Sequence, residues 1–340
     1  MSSTESPDTR TAALPVPPAG PGVRAGETVR SVTLPGLTLS VRRPDGPVGG
    51  TVRDAAAAEE GPVREPALYV HGLGGSSQNW SALMPLLADR VDGEALDLPG
   101  FGNSPPPDDG NYSVSAQARA VIRYLDASGH GPVHLIGNSM GGAASTRVAA
   151  VRPDLVRTLT LVSPALPELR PQLTAVPTAL LAVPGVARLF SRVTHDWTPE
   201  RRTREVLALC YGDPGMVTPE GLSSAADEYA RRLELPYFWE VMERSARGLV
   251  NAYTLGGQHN LWRQAERVLA PTLLVYGGRD RLVSFRMARR AAAAFRGSRL
   301  LTLPEAGHVA MMEYPEAVAR AFRELLDCEV TEKTADAGRS

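Results

Sequence analysis

Cysteine is nearly absent. Cys210 and Cys328 are the only two in 340 residues, and neither has metal-ligand spacing around it. No disulfide framework or zinc site is expected, and the chain fits a reducing, cytoplasmic setting. Charge of one sign is also missing, because 36 basic and 37 acidic residues leave a net charge of -1. That balance gives no overall electrostatic footprint for nucleic acid or an anionic membrane, so the expected partner is a small, apolar molecule. The longest uncharged run, residues 171–187, is broken by Thr174, Pro177, Thr178, Pro184 and Gly185. It is a poor bilayer span, and no stable membrane insertion is expected. Residues 1–26 lack a basic region followed by an apolar core and read as a disordered tail, not a signal peptide.

What is present is enough apolar content, 43%, to bury a full-sized core. The most informative stretch is Leu135-Ile136-Gly137-Asn138-Ser139-Met140-Gly141-Gly142. Residues 133–136 are a short aliphatic and β-branched run, as in a buried strand. Ala143 and Ala144 then open a small-residue segment that can pack a helix closely on a sheet. Ser139 falls at the break, with glycine two before and two after, where a strand and helix in sharp reversal nearly touch. The alternative is a glycine-rich turn with no chemistry. The strand before and the helix after favour a serine held with its hydroxyl projecting from the sheet.

Gly137-Asn138-Ser139-Met140-Gly141-Gly142 resembles the nucleophile elbow of the α/β-hydrolase fold family. The resemblance covers about residues 30–325. It implies a mostly parallel central sheet flanked by helices and a Ser, acid, His triad in that chain order. The rest of the chain is compatible. Residues 29–42 alternate around Pro35-Gly36, as in an edge hairpin, and 48–64 read as a loop. Strands are expected at 67–70, 94–98, 133–136 and 158–162, with helices at 80–90, 114–127 and from Ser139 to about Val151. The alternation stops at Pro164 and resumes at the strand 272–276, followed by a helix at 285–295, a strand at 299–303 and a helix at 315–326. The expected organisation is therefore a tail at 1–28, a hydrolase core at 29–165 and 266–327, a helical cap at 166–265, and a flexible tail at 328–340.

A serine hydroxyl is a weak nucleophile and needs a base within hydrogen-bond reach. Of six histidines, His308 alone sits just beyond a late strand and ahead of the last helix, where α/β sheets place reacting groups. His259 is the alternative. The imidazole in turn needs a carboxylate to fix its tautomer. Asp280, after Gly277-Gly278-Arg279, resembles the family's acid and lies between Ser139 and His308 in the chain; a turn aspartate capping its own backbone is the plain alternative. Asp196 and Asp227 are the fallback acids. The resemblance further implies an oxyanion site from the backbone amides of Leu73 and Met140, with glycines 72, 74 and 75 allowing close approach. Asp97 is expected to hold the turn Pro99-Gly100-Phe101-Gly102. No metal and no organic cofactor are implied.

The expected activity is hydrolysis of a small to medium apolar carboxylic ester through an acyl-enzyme. The apolar residues Leu173, Leu180, Leu181, Val183, Val186, Leu189 and Phe190 are expected to line part of its pocket. Two other readings stay open. The elbow is also similar to that of enzymes hydrolysing carbon-carbon bonds of ring-cleavage products, although these usually carry Trp after the catalytic His, where Val309 stands here. A non-catalytic small-molecule receptor on the same fold is the second.

Overall fold

The structure, a computed structural model, describes residues 26–44, 64–168, 170–254 and 256–337. The 48–64 loop except Arg64, and most of the N-terminal tail, lie outside these residues. Among the described residues eight strands form one sheet: β1 (Glu27–Leu34), β2 (Leu37–Pro44), β3 (Glu65–Val70), β4 (Val91–Leu96), β5 (Val133–Asn138), β6 (Val156–Val162), β7 (Thr272–Gly277) and β8 (Arg299–Leu303). Their order is β1-β2-β4-β3-β5-β6-β7-β8. The β1–β2 hairpin joins antiparallel at one edge, and β3 to β8 run parallel. The central strands β5 and β7 are buried at every position, as expected where helices cover both faces of a parallel sheet.

The helices are α1 (Met84–Leu87), α2 (Val114–Ser128), α3 (Ser139–Val151), α4 (Val176–Leu180), α5 (Val186–Val193), α6 (Pro199–Cys210), α7 (Pro219–Leu233), α8 (Phe238–Thr254), α9 (Leu261–Ala265), α10 (Met287–Ala294), α11 (Ala310–Glu313) and α12 (Pro315–Ala337). One face of the sheet packs on Val121, Leu125, Met140, Val148, Leu261 and Met287 from α2, α3, α9 and α10. The other packs on Trp80, Leu83, Val318 and Phe322, from the segment around α1 and from α12. Helix α2 shows local signals agreeing with this packing: Ser113 accepts from the Ala116 amide as N-cap, and Gly129 closes the helix at φ 68°.

Three expectations change. Residues 80–90 do not form one helix, because Trp80 closes a single 3-10 turn and Pro85 lies in the short α1 before a turn into β4. Strand β4 begins at Val91, three residues before the expected start, because Val91 pairs with Glu65 at the start of β3. Helix α12 runs to Ala337, into the expected flexible tail; 327–337 contains neither Gly nor Pro to stop it. Between β6 and β7 the described residues contain helices and turns but no strand.

Candidate active site

Strand β5 and helix α3 meet at Ser139, whose φ of 52° lies in the left-handed region. A non-glycine residue there costs about 1–3 kcal/mol, sustained by the packing around it. The glycines of the motif are required by that packing. A Cβ on Gly141 would collide with the carbonyl oxygens of Val70 and His71, and one on Gly137 would come within 2.8 Å of the Gly141 carbonyl oxygen. Asn138 is buried, and its side-chain amide donates to the carbonyls of Val162 (3.0 Å) and His308 (3.1 Å). The elbow is thereby tied directly to the histidine loop. Ser139 itself is half-buried, so its hydroxyl remains within reach of a small molecule.

Asp280 and His308 come together from the loops after β7 and β8. His308 Nδ1 donates to Asp280 Oδ2 at 2.9 Å, and both side chains are almost fully buried. The other carboxylate oxygen accepts from the backbone amides of Leu282 (2.8 Å) and Val283 (2.9 Å). Burial works against the Asp280 charge, but His308 and the two amides outweigh it and hold the carboxyl below its ordinary range. The bond at Nδ1 leaves Nε2 of the neutral ring without a proton, which is the form a base requires. The plain alternative for Asp280, capping its own turn, is therefore only half of what it does.

Leu73 lies in the turn after β3, half-buried, between Gly72 and Gly74, the latter at φ 69°. A Cβ on Gly72 would stand 3.0 Å from that of Ser139, so this turn lies against the elbow. Met140 is the second residue of α3, where a backbone N–H has no partner within its own helix. The turn is braced from beneath by His71. Its Nδ1 donates to the Gly72 carbonyl at 2.7 Å and its Nε2 accepts from the Leu98 amide at 2.9 Å. Burial pushes this imidazole down to about 4, so it is neutral at pH 7. Asp97 accepts from the amides of Ser77 (2.6 Å) and Asn103 (2.9 Å), which fixes the turn at 99–102.

The other candidates lie elsewhere. His259 is exposed beside Arg147, and His195 and Asp196 form an exposed pair. Asp227 is exposed on α7. His134 is a buried structural histidine between Thr158 and Glu65.

A family model described as the alpha/beta hydrolase fold matches residues 66–315. This chain belongs to the α/β hydrolases. Among similar proteins is the dihydrolipoyllysine-residue acetyltransferase component of the acetoin cleaving system of Cupriavidus necator, 30% identical over 261 residues. The match covers 75% of this chain and 62% of that protein, so this α/β hydrolase spans about six tenths of that relative's length. A 2-hydroxy-6-oxo-6-(2'-aminophenyl)hexa-2,4-dienoic acid hydrolase of Metapseudomonas resinovorans is 27% identical, covering 76% of this chain and 82% of its own. A pimeloyl-[acyl-carrier protein] methyl ester esterase of Neisseria meningitidis is 28% identical, covering 76% and 92%. In fold, the 2-hydroxy-6-oxo-6-phenylhexa-2,4-dienoate hydrolase of Rhodococcus sp. strain RHA1 superposes with a TM-score of 0.67 at 18% identity, covering 88% of this chain and all (100%) of that one.

The residues by which this α/β hydrolase clamps its inserted helices to the site carry no motif in the sequence. Arg232 on α7 donates to the Gly74 carbonyl (2.5 Å) and the Ser76 hydroxyl (3.0 Å), and is paired with Glu228 (2.8 Å). Glu313 accepts from the amides of Gly307 (2.8 Å) and Gly212 (2.7 Å), while the His308 amide donates to the Cys210 carbonyl at 2.7 Å. Burial pushes the Glu313 carboxyl up. Glu228-x-x-Arg231-Arg232 is the one local signal among them, a helical ion-pair spacing; nothing in the sequence pairs Glu313 with Gly212. The apolar pocket expectation also changes. Leu173, Leu180, Val183 and Leu189 are exposed, α4 buries no side chain, and α5 buries only Ala187.

Proposed function

We propose that the protein is a serine hydrolase that cleaves an apolar carboxylic ester through an acyl-enzyme at Ser139. The buried 2.9 Å bond from His308 to Asp280, tied through Asn138 to the elbow, carries this reading. In the mechanism Ser139 Oγ attacks the ester carbonyl while His308 Nε2 takes its proton. The oxyanion is met by the N–H groups of Leu73 and Met140. His308 returns the proton to the leaving alcohol, and water then repeats the sequence to release the acid. Asp280 orients the ring and stabilises its cation without taking up the proton. The resemblance to the Neisseria esterase supports ester chemistry.

One specific observation favours a second reading. The Metapseudomonas relative is a dienoic acid hydrolase of comparable identity, so carbon-carbon cleavage by the same triad is the competing chemistry. The test combines a fluorophosphonate probe with turnover of uncharged acyl esters and vinylogous diketones. Expected are labelling on Ser139, turnover of esters above diketones, and loss of both labelling and turnover in Ser139→Ala. Full labelling of the Ala variant refutes the nucleophile; faster diketone turnover moves the reading to carbon-carbon cleavage.

A further inference from the structure

The helix α5 is inside out. At 100° per residue, Ala187, Ser191 and Thr194 share one side, and Ala187 and Thr194 are buried against the rest of the molecule. Two of its large apolar residues, Leu189 and Val193, are on the other side. Leu189 is 59% exposed and Val193, one turn on, 70%. Leu173 (88%) and Val183 (47%), which precede α5 in the chain, are exposed as well. The helix is nonetheless held in place, since Phe190 packs edge-on against Trp197 and Trp239. A rigid element that turns its small residues inward and its aliphatic ones to water marks an interaction surface.

Charge says which kind. No acidic residue occurs from 171 to 195, while Arg188 and Arg192 line the edge of the Leu189–Val193 stripe. Both are exposed, and neither makes an ion pair among the described residues. Elsewhere in the same insertion Arg231, Arg232, Arg244 and Arg247 each sit on a glutamate, and Arg201 stacks on Trp197. A second copy of the chain docked through this face would set Arg188 and Arg192 against the same cations. An aliphatic stripe edged by free guanidinium groups complements acyl chains beneath phosphate headgroups.

We infer that the outer face of α5, where Leu189 and Val193 stand beside Arg188 and Arg192, docks on an anionic lipid surface. This goes beyond the ester reading and does not depend on it, since the surface involves none of the residues around Ser139. Docking would hold the insertion at the interface from which apolar esters are drawn.

The test is co-sedimentation of the full chain with vesicles of equal parts phosphatidylglycerol and phosphatidylcholine, against phosphatidylcholine alone. Binding is expected to the anionic vesicles and to weaken with salt. Arg188→Gln with Arg192→Gln should weaken it about 25-fold, at about fivefold per cation. Leu189→Glu with Val193→Glu should weaken it on the order of a hundredfold. Because these side chains point to solvent, turnover of a water-soluble ester should be unchanged in both variants, which shows that they are folded. If no ester is turned over, circular dichroism replaces that control and the binding result stands by itself. No vesicle binding, or equal binding by wild type and both variants, overturns the inference. So does a wild-type dimer dispersed by the Leu189 and Val193 changes, which would give the face to a second copy. Capture by a soluble polyanionic protein that ignores Leu189 and Val193 overturns it as well.

Discussion

The loop carrying His308 and the helix α5 stand at opposite ends of a packing scale. Around His308, backbone meets backbone. The His308 amide bonds the Cys210 carbonyl, and Cβ atoms on Gly212 or Gly307 would collide with the chain opposite. Around α5, large side chains meet water. Reacting groups must be held to within a fraction of an ångström, which only fully determined backbone contacts achieve. A surface that meets fluid or variable partners needs only composition and charge. One chain supplies both because its insertion is clamped to the core at Gly74, Gly212 and Gly307 and left free on its outer side.

The largest expected effect tests the tight end. Asp280→Asn keeps the size of the side chain but offers His308 the wrong partner, so kcat should fall on the order of 10⁴-fold while the fold is retained. Near wild-type turnover would show that another group orients the ring. Next comes Gly141→Ala, which drives a methyl into the Val70 and His71 carbonyls and should cost about 3 kcal/mol or prevent folding. Leu189→Ala is the matched control at the loose end and should stay within about 0.5 kcal/mol by urea unfolding. Similar losses at the two sites would erase the contrast.

Stability should also depend on pH. His71 is lowered from 6.5 to about 4 by burial, so its neutral form stabilises the fold. That contribution is complete above about pH 6.5 and is lost as pH falls toward 4. For Glu94, burial opposes the charge but hydrogen bonds from His130, Tyr124 and Arg30 outweigh it, lowering it from 4.5 to about 2. Its contribution is lost only below about pH 4.5. Between pH 7 and pH 5 Glu94 stays ionised in both states, and the proton that His71 takes up only on unfolding should by itself cost about 2 kcal/mol by urea unfolding. A flat response would mean that His71 takes a proton as easily in the fold as outside it.

Elements whose cause is local were legible in the pattern of residues. Aliphatic runs bounded by glycine specify the parallel strands, Gly137 and Gly141 specify a reversal too close for any Cβ, and Pro35-Gly36 specifies the edge hairpin. Position after a late strand pointed to His308, and likeness to the family's acid loop together with chain order pointed to Asp280; the fold brings the two to 2.9 Å. Tertiary structure decided what depends on partners far along the chain. Glu313 with Gly212, Arg232 with Gly74, and His71 with Leu98 are separated by 101, 158 and 27 positions. It also decided which way the apolar residues of α5 face. Apolar composition indicates burial or a pocket, yet on α5 Ala187, Ser191 and Thr194 take the inner side and leave Leu189 and Val193 to solvent. The net charge of -1 likewise conceals a local excess of cations, because it sums over all 340 residues while α5 meets its surroundings with Arg188 and Arg192 alone. Direction on a helix is set by what the helix packs against, and that is a property of the assembled fold.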